Sequence, residues 1–339
     1  MMSALPAEFA FIKVGCGKFL IGHGPFEFCA QQPAGQTAFY INDFFLQNKQ
    51  PWIVPARTEW VDSLTELLPA GESVKIAWSK MEADAFAEVF AQINDAISVG
   101  LIEKSVPVAV QQGQLVEGTV LDILATMTEL DEPFISYGYV AGGKGFFGAT
   151  PELLFNLKGK VLQTMALAGT AKADEREVFA VDPKEIREHA FVAQTLVAKL
   201  SDIGEVEQGK RGMMDLGEIV HFLTPIEVEL FDYRAVEDLI RRLHPTPALG
   251  PLPRTRETMK MLENWRSKLE CPVHFGAPFG LAHDGEFTCA VAIRGVHFSG
   301  ENLSLPSGCG VIEASRLMNE WRELRLKREA VKKVFSALS

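Results

Sequence analysis

Two pairs of glutamates, each separated by three positions, could bind a hard metal ion. Glu185 and Glu188 lie in the segment KEIREH, and Glu320 and Glu323 lie in EWRELR near the end of the chain. In a helix this spacing puts both carboxylates of a pair on one face, where like charges repel and favour a nearby cation. Two such faces brought together would offer the oxygen ligands that magnesium prefers. Taken singly, each pair is more often solvated surface.

Two further residues could perform acid–base chemistry if they are buried. Glu152 stands in FFGATPELLF, where it is either a surface carboxylate or a carboxyl held in an apolar wall. In the second case its pKa would rise, and it could act as a general acid near neutral pH. Lys104 lies in the strand-like segment IEKSVPV, where a lysine more often extends to solvent. Buried, it would lose proton affinity and could act as a base.

Two turns of small residues, in ALAGTA and SGCG, could bring backbone N–H groups close to an anion. Glycine lets the backbone approach a ligand closely, although most turns of this kind are only turns. The candidate positions are Ala168, Gly169, Thr170, Gly308 and Gly310. His221, in VHFL, is expected to be a core histidine, because no metal-ligand spacing surrounds it.

The composition of the chain excludes some classes of partner and favours one type of compartment. The chain has 339 residues, with 33 Lys and Arg against 44 Asp and Glu, a formal net charge of −11. Such a chain repels phosphate backbones and anionic lipid, so neither nucleic acid nor a membrane is expected as a partner. Its five cysteines form no CxxC pair, as expected for reduced thiols. With no signal-like start and no long apolar run, the chain is expected to be soluble and cytoplasmic.

The order of predicted elements favours an α+β fold. Strands and helices come in irregular blocks rather than in strict βαβ alternation, and no break in composition marks a domain boundary. Strand patterns surround Lys104 and run from FISYGYV to TMALAGT. The predicted helices span residues 57–68, 81–100, 119–130, 183–200, 233–243, 255–269 and 316–337.

Taken together and in order, these segments resemble the chorismate-utilising enzymes: isochorismate, salicylate, anthranilate and aminodeoxychorismate synthases. The matching stretches are GLIEKSVPV, FFGATPELLF, TMALAGT, DPKEIREHAFV, LHPTPALGPLPR, CAVAIRG, SGCGVI and EWRELRLK. They cover residues 75–335, after a shortened N-terminal region of residues 1–70. The resemblance implies one chorismate-binding domain over residues 1–339, a large α/β sandwich of two sheets with the active site between them.

Two positions favour the isochorismate and salicylate side of this family. In the family, the position matching Lys104 is lysine where water attacks the ring and glutamine in many enzymes that use ammonia. The position matching Ala166 is a nucleophilic lysine in one group of aminodeoxychorismate synthases, and it is alanine here. The resemblance therefore implies an isochorismate synthase that feeds menaquinone or siderophore synthesis. It also argues against a glutaminase subunit as a partner.

The resemblance implies a role for each candidate residue. Lys104 would deprotonate the water that adds at C2 of chorismate, and Glu152 would protonate the departing C4 hydroxyl. The implied Mg²⁺ ligands are Glu188 and Glu323, supported by Glu185 and Glu320. The ring carboxylate would meet the metal and the backbone of Ala168, Gly169 and Thr170. The enolpyruvyl carboxylate would meet Arg294, Lys327 and N–H groups around Gly308 and Gly310. His244 would line the ring pocket.

Three alternatives stay open beside this interpretation. A salicylate synthase would use the same site and also eliminate pyruvate, and an aminating synthase component would use ammonia. A catalytically silent relative would bind chorismate without converting it. The third is kept open by Phe275, in FGAPFG, where the family has a tyrosine whose hydroxyl meets the substrate carboxylate.

Overall fold

The structure is a computed structural model that describes residues 7–15, 17–68, 73–127, 130 and 132–335. Within those residues, nineteen strands and seven α-helices follow one another in irregular blocks, which confirms the α+β class. None of the helices in this described part is long and apolar enough to cross a membrane.

The bounds of the elements are as follows. The strands are β1 Phe9–Lys13, β2 Phe19–Cys29, β3 Ala38–Ile41, β4 Trp52–Val61, β5 Lys75–Trp78, β6 Lys104–Ser105, β7 Val108–Glu117, β8 Ile135–Ala141, β9 Lys144–Thr150, β10 Leu153–Lys158, β11 Val161–Lys172, β12 Gly204–Gln208, β13 Gly212–Asp215, β14 Ile219–Leu230, β15 Pro278–His283, β16 Glu286–Val291, β17 Gly295–Ser299, β18 Asn302–Gly308 and β19 Val311–Ile312. The helices are α1 Asp84–Ser98, α2 Val120–Met127, α3 Arg176–Phe179, α4 Pro183–Leu200, α5 Val236–Leu243, α6 Arg256–Lys268 and α7 Leu317–Phe335.

Seventeen of these strands form one antiparallel sheet. One half contains β5, β7, β18, β17, β9, β8 and β1, each paired with the next. The other half contains β3, β15, β16, β10, β11 and β14, with β12 and β13 both paired to β14. Strands β2 and β4 connect the halves. The two predicted sheets are thus two halves of one continuous hydrogen-bonded sheet. Strands β6 and β19 form a separate pair.

The two halves pack against each other through aromatic side chains. Phe279 on β15 lies 5.4 Å from the ring of Tyr137 on β8 and 6.0 Å from the ring of Phe146 on β9. All three side chains are buried. Rings at these separations and tilted angles give the close contact typical of a sandwich core.

Helices cover the outer faces. On α4, the buried positions Glu188, Val192, Leu196 and Leu200 recur every four residues and pack this helix on the half that contains β11 and β14. Helices α2 and α7 contribute to the cluster over the other half. The buried stripe of α4 therefore begins at a glutamate, which leaves a carboxylate at the edge of the core.

Helix α4 is positioned by its first turn. The carboxylate of Asp182 accepts hydrogen bonds from the backbone N–H of Lys184 at 2.8 Å and of Glu185 at 3.1 Å, and Pro183 occupies the first helical position. The prediction of a helix over 183–200 is confirmed with both ends. The other predicted helices are present with shorter bounds, except for the helix predicted over 57–68. Residues 128 and 129 of the 119–130 prediction and residues 336 and 337 of the 316–337 prediction lie outside the described residues.

The helix predicted over residues 57–68 is wrong. Residues up to Val61 belong to β4, whose whole length pairs with β2, and only a 3-10 turn over Leu64–Glu66 follows it. The pairing places Trp60 beside Leu20 and supplies hydrogen bonds that a local propensity argument does not include. A long-range partner thus overrides the helix-like spacing.

Candidate active site

A cavity lies where the chain crosses between the two halves of the sheet. Glu152 stands in the crossing from β9 to β10, and Arg294 stands in the crossing from β16 to β17. Both line the same cavity, which is open to solvent. Nine of the predicted site residues line it: Glu152, Ala168, Gly169, Thr170, Glu188, Arg294, Gly308, Gly310 and Lys327.

Three predicted metal ligands, Glu185, Glu320 and Glu323, line a second cavity instead, which is also open to solvent. Thr170 lines both cavities, so they adjoin. The backbone N–H of Thr170 donates to Glu185 Oε2 at 2.8 Å, which links the small-residue turn of β11 to the acidic helix.

His244 does not belong to the lining of the first cavity. Its Nε2 donates to the carbonyl of Phe44 at 2.7 Å, and its ring packs edge-on against the ring of that phenylalanine. Burial lowers the pKa of His244 to about 3, so the imidazole is neutral. Ala248 and Leu249, a few residues further along the same loop, line the cavity in its place.

Lys104 lies behind the cavity and is completely buried. Its Nζ donates to Glu188 Oε1 at 3.0 Å. Burial alone would raise the pKa of Glu188, but the ammonium groups of Lys104 and Lys184 outweigh burial and lower that pKa to about 2. Lys104, the predicted base, and Glu188, a predicted metal ligand, therefore form one ion pair, although they lie 84 positions apart in the chain.

The sequence left two possibilities open for Glu152, a surface carboxylate or a buried carboxyl. Its carboxyl is buried, with 5% of the residue's surface exposed. Burial raises the pKa of Glu152 to about 7, while the positive charges of Lys104, Lys327 and Arg294 oppose the rise. A carboxyl with this pKa holds a proton in a large fraction of molecules at neutral pH, which suits a general acid.

Lys184 was not predicted as a site residue, although it lies four positions before Glu188 on α4. Its ammonium lies 2.8 Å from Glu185 Oε1, 3.2 Å from Glu188 Oε2 and 3.3 Å from Glu320 Oε1. Burial alone would lower the pKa of Lys184, but the surrounding carboxylates outweigh burial and raise it well above its usual range. The glutamate pairs of α4 and α7 do meet, and a lysine stands between them.

The four glutamates fit a magnesium ion in chemistry. Carboxylate oxygens are the hard ligands that Mg²⁺ takes, and Glu320 Oε2 is buried with no hydrogen-bond partner. Burial and neighbouring carboxylates raise the pKa of Glu185 to about 7 and of Glu320 to about 8. The positive charge of Lys184 opposes this rise but does not balance the negative charges of the several carboxylates around it. In the described ranges, however, no three acidic, histidine or cysteine side chains converge as a ready metal site.

His221 lines the first cavity, although its sequence context suggested a core residue. Its Nδ1 lies 2.6 Å from the carbonyl oxygen of Gly169, so this nitrogen carries the proton and donates it. The opposite nitrogen, Nε2, then accepts from Arg294 Nη2 at 2.8 Å. His221 thus orients the guanidinium toward the cavity.

Arg294 combines two features that mark a constrained position. It is half-buried and has a φ of 58°, a left-handed conformation that costs energy in a residue with a side chain. Burial lowers the pKa of Arg294 to about 10, while Glu323 and Glu152 oppose the change. The strained backbone is compatible with a requirement to aim this cation into the site.

Lys327 on α7 is the other cation of the cavity. Its Nζ lies 2.6 Å from Glu323 Oε1 and donates to the carbonyl of Gly308 at 2.9 Å. The ammonium thereby connects α7 to the end of β18, beside the SGCG turn. Phe275 lines the same cavity with an apolar ring.

The chain belongs to the family described as chorismate binding enzymes, whose sequence profile matches residues 45–336. The ordered motifs of the sequence, the fold and the cavity at the crossing of the two half-sheets all lie within or beside that match. The predicted resemblance to chorismate-utilising enzymes is confirmed.

Individual relatives are similar over part of their length. The chain is 33% identical over 232 residues to isochorismate synthase MenF of Bacillus subtilis strain 168, covering 62% of this chain and 46% of that protein. It is 30% identical over 214 residues to the salicylate biosynthesis isochorismate synthase of Pseudomonas aeruginosa, covering 58% and 43%. The chain thus spans about half the length of the curated relatives it matches.

The solved structure of MenF, the menaquinone-specific isochorismate synthase from Escherichia coli, has the same fold. Its TM-score with this chain is 0.80 at 17% sequence identity, covering 98% of this chain and 89% of the other. The predicted sandwich architecture of the family is thereby confirmed.

Proposed function

We propose that this protein is a Mg²⁺-dependent isochorismate synthase that converts chorismate to isochorismate. The observation that supports the proposal most strongly is the buried carboxyl of Glu152 in the lining of one cavity of a chorismate-binding fold, with the buried Lys104 paired to Glu188 of the same lining. Lysine, rather than glutamine, at position 104 favours water over ammonia as the nucleophile. The named relatives with 30% identity or more are isochorismate synthases. The product would feed menaquinone or siderophore synthesis.

The proposed reaction exchanges one hydroxyl position for another. Lys104 acts in this step as the neutral amine, not as the ammonium paired with Glu188. It takes a proton from a water molecule, whose oxygen forms a bond to C2 of the ring. Both ring double bonds shift, the C4–O bond breaks, and Glu152 gives its proton to the departing hydroxyl, which leaves as water. Water enters and water leaves, so the product is an isomer of the substrate.

Cations of the chain would bind the two carboxylates of chorismate. Arg294 and Lys327, with backbone N–H groups near Gly308 and Gly310, would hold the enolpyruvyl carboxylate. Gly169 and Thr170 would present their backbone to the ring carboxylate. Glu188 and Glu323, supported by Glu185 and Glu320, would hold Mg²⁺, which neutralises the ring carboxylate when bound.

Product identification tests the proposal directly. The protein is incubated with chorismate and MgCl₂, and the products are separated by liquid chromatography and identified by NMR. We expect isochorismate. Salicylate with pyruvate would instead identify a salicylate synthase, and turnover only with ammonium would identify an aminating enzyme. Unchanged chorismate would contradict all three and favour the silent relative.

Two substitutions test the assigned roles. We expect Lys104→Met and Glu152→Gln to lower kcat by roughly 10²-fold or more, the size of a general acid–base contribution. The matched controls are Lys158→Met and Glu286→Gln, which remove an exposed ion pair between β10 and β16. Retention of activity in Lys104→Met or Glu152→Gln would contradict the mechanism, provided that both controls behave like the unsubstituted protein.

A further inference from the structure

The ammonium of Lys184 occupies the centre of the acidic cluster formed by Glu185, Glu188, Glu320 and Glu323. The ammonium donates hydrogen bonds to Glu185 Oε1 and Glu188 Oε2, and it forms an ion pair with Glu320 Oε1 at 3.3 Å. These carboxylates come from two different helices, α4 and α7. Lys184 therefore holds the helices together where their like charges would otherwise repel.

One lysine does not satisfy this cluster. Glu320 Oε2 is buried and has no hydrogen-bond partner, and the ion pair with Lys184 is made by the other oxygen of this carboxylate. The four carboxylates with the ammonium groups of Lys104, Lys184 and Lys327 leave a formal charge of −1. Exchange of Lys184 for a divalent cation would bring that charge to zero. A cation with about six ligand positions could also take the unpartnered oxygen.

We propose that Lys184 is a built-in cation that holds the metal position and leaves it, still protonated, when a divalent cation binds. The inference rests on the magnesium site of the proposed function, and on no other part of it. Lys184 contacts Glu188, a proposed direct ligand, and both supporting residues, Glu185 and Glu320, so the ammonium and a divalent cation compete for the same carboxylates. The apparent affinity for the metal is lowered by the free energy needed to displace the lysine.

The displaced side chain has a place to go. Lys184 lies in the first turn of α4 and lines the second, solvent-open cavity, together with Asp182 and Glu175. Its side chain is already 18% exposed, and its four-carbon stem can rotate without moving the helix backbone. The ammonium can thus reach solvent and other carboxylates while α4 stays in place.

Metal binding without chorismate tests the exchange. We expect Lys184→Met, which keeps the stem and removes the charge, to bind Mg²⁺ about tenfold more tightly than the unsubstituted protein by isothermal titration calorimetry. The matched control is Lys172→Met, which removes a charge at the same cavity without a contact to the cluster. Its affinity should change much less. Equal or weaker binding by Lys184→Met would overturn the proposal.

A second measurement uses the unsubstituted protein and does not depend on the folding of a variant. The labelling rate of Lys184 by an amine-acylating reagent is followed by mass spectrometry with and without saturating Mg²⁺. We expect the rate to rise several-fold when metal displaces the lysine into the open cavity. An unchanged or lower rate would overturn the proposal.

The two proposals fail in distinguishable ways. Metal-dependent exposure of Lys184 in a protein that leaves chorismate unchanged would support the exchange and contradict the synthase. Conversion of chorismate to isochorismate without any Mg²⁺ binding would contradict the exchange and the metal site, and would leave the acid–base roles of Lys104 and Glu152 standing.

Discussion

At the scale of single residues, burial changes the protonation and the orientation of ordinary side chains. Glu152 is a common residue type whose pKa rises to about 7 because its carboxyl lies in an apolar crossing between strands. Lys104 is buried against Glu188, so its position depends on an acidic residue of another element. His221, neutral and with its proton on Nδ1, offers a lone pair that aligns Arg294.

The raised pKa of Glu152 predicts two pH effects with defined signs. The protonated acid is lost above pH 7, so kcat should fall on the alkaline side with an apparent pKa near 7. The folded state holds this proton more tightly than the unfolded state, so the contribution of Glu152 to the free energy of unfolding is present at low pH and is lost as pH rises through about 7.

Glu152→Gln separates the stability effect from catalysis. Because glutamine does not ionise, this variant should gain stability relative to the unsubstituted protein between pH 5 and pH 8, by up to about 3 kcal/mol. Urea unfolding at both pH values measures the difference. An equal difference in the free energy of unfolding at pH 5 and pH 8 would contradict the raised pKa.

At the scale of elements, the short ribbon of β6 and β19 decides where Lys104 meets α4. Ile312 pairs with Lys104, and Gly310 stands just before β19. A side chain at Gly310 would overlap Glu188 Oε1 and would lie 2.8 Å from Lys104 Cε. Only glycine permits the ribbon and the helix to approach closely enough for the buried ion pair.

We expect Gly310→Ala to lower kcat by roughly 10²-fold, because a displacement of about 1 Å in a catalytic group has an effect of that size. The matched control is Gly212→Ala on β13, where an added methyl group meets nothing within 4 Å. Steady-state kinetics of both variants, with circular dichroism to verify folding, make the comparison. Equal activity of the two variants would contradict the requirement for close approach.

At the scale of the whole molecule, the packing of the two half-sheets positions the cavity. Glu152 and Arg294 both stand where the chain crosses between the halves, so their separation depends on how the halves pack. The net charge of −11 acts over the same scale and repels anions in general. The cavity counters it locally with the cations Arg294 and Lys327, as the proposed dicarboxylate substrate would require.

Loss of the aromatic contact between the halves should affect stability strongly. We expect Phe279→Ala to lower the free energy of unfolding by about 3–5 kcal/mol, because it removes a buried ring and leaves a cavity. The control is Phe28→Ala, whose side chain is 51% exposed and whose loss should change stability by about 0.5 kcal/mol or less. Urea unfolding of both variants measures the effect, and similar values would contradict the assigned contact.

Several features of the protein follow from the sequence alone because their causes are local. Helix α4 starts where Asp182 caps it and Pro183 permits no earlier turn, and its glutamates share a face because of their spacing. The ordered motifs identify the chorismate-binding family for the same reason, since each is a short contiguous string. The α+β class follows from the irregular order of elements.

Other features were decided only by tertiary structure, because they depend on contacts between distant residues. Strand β4 exists because β2 pairs with it, against its helix-like pattern. Glu152 is an acid near neutral pH rather than a surface carboxylate because the fold buries it. Lys184 lies inside the acidic cluster because α7 brings Glu320 to it from 136 positions away along the chain. Spacing reveals which residues share a face, but only packing brings two faces together.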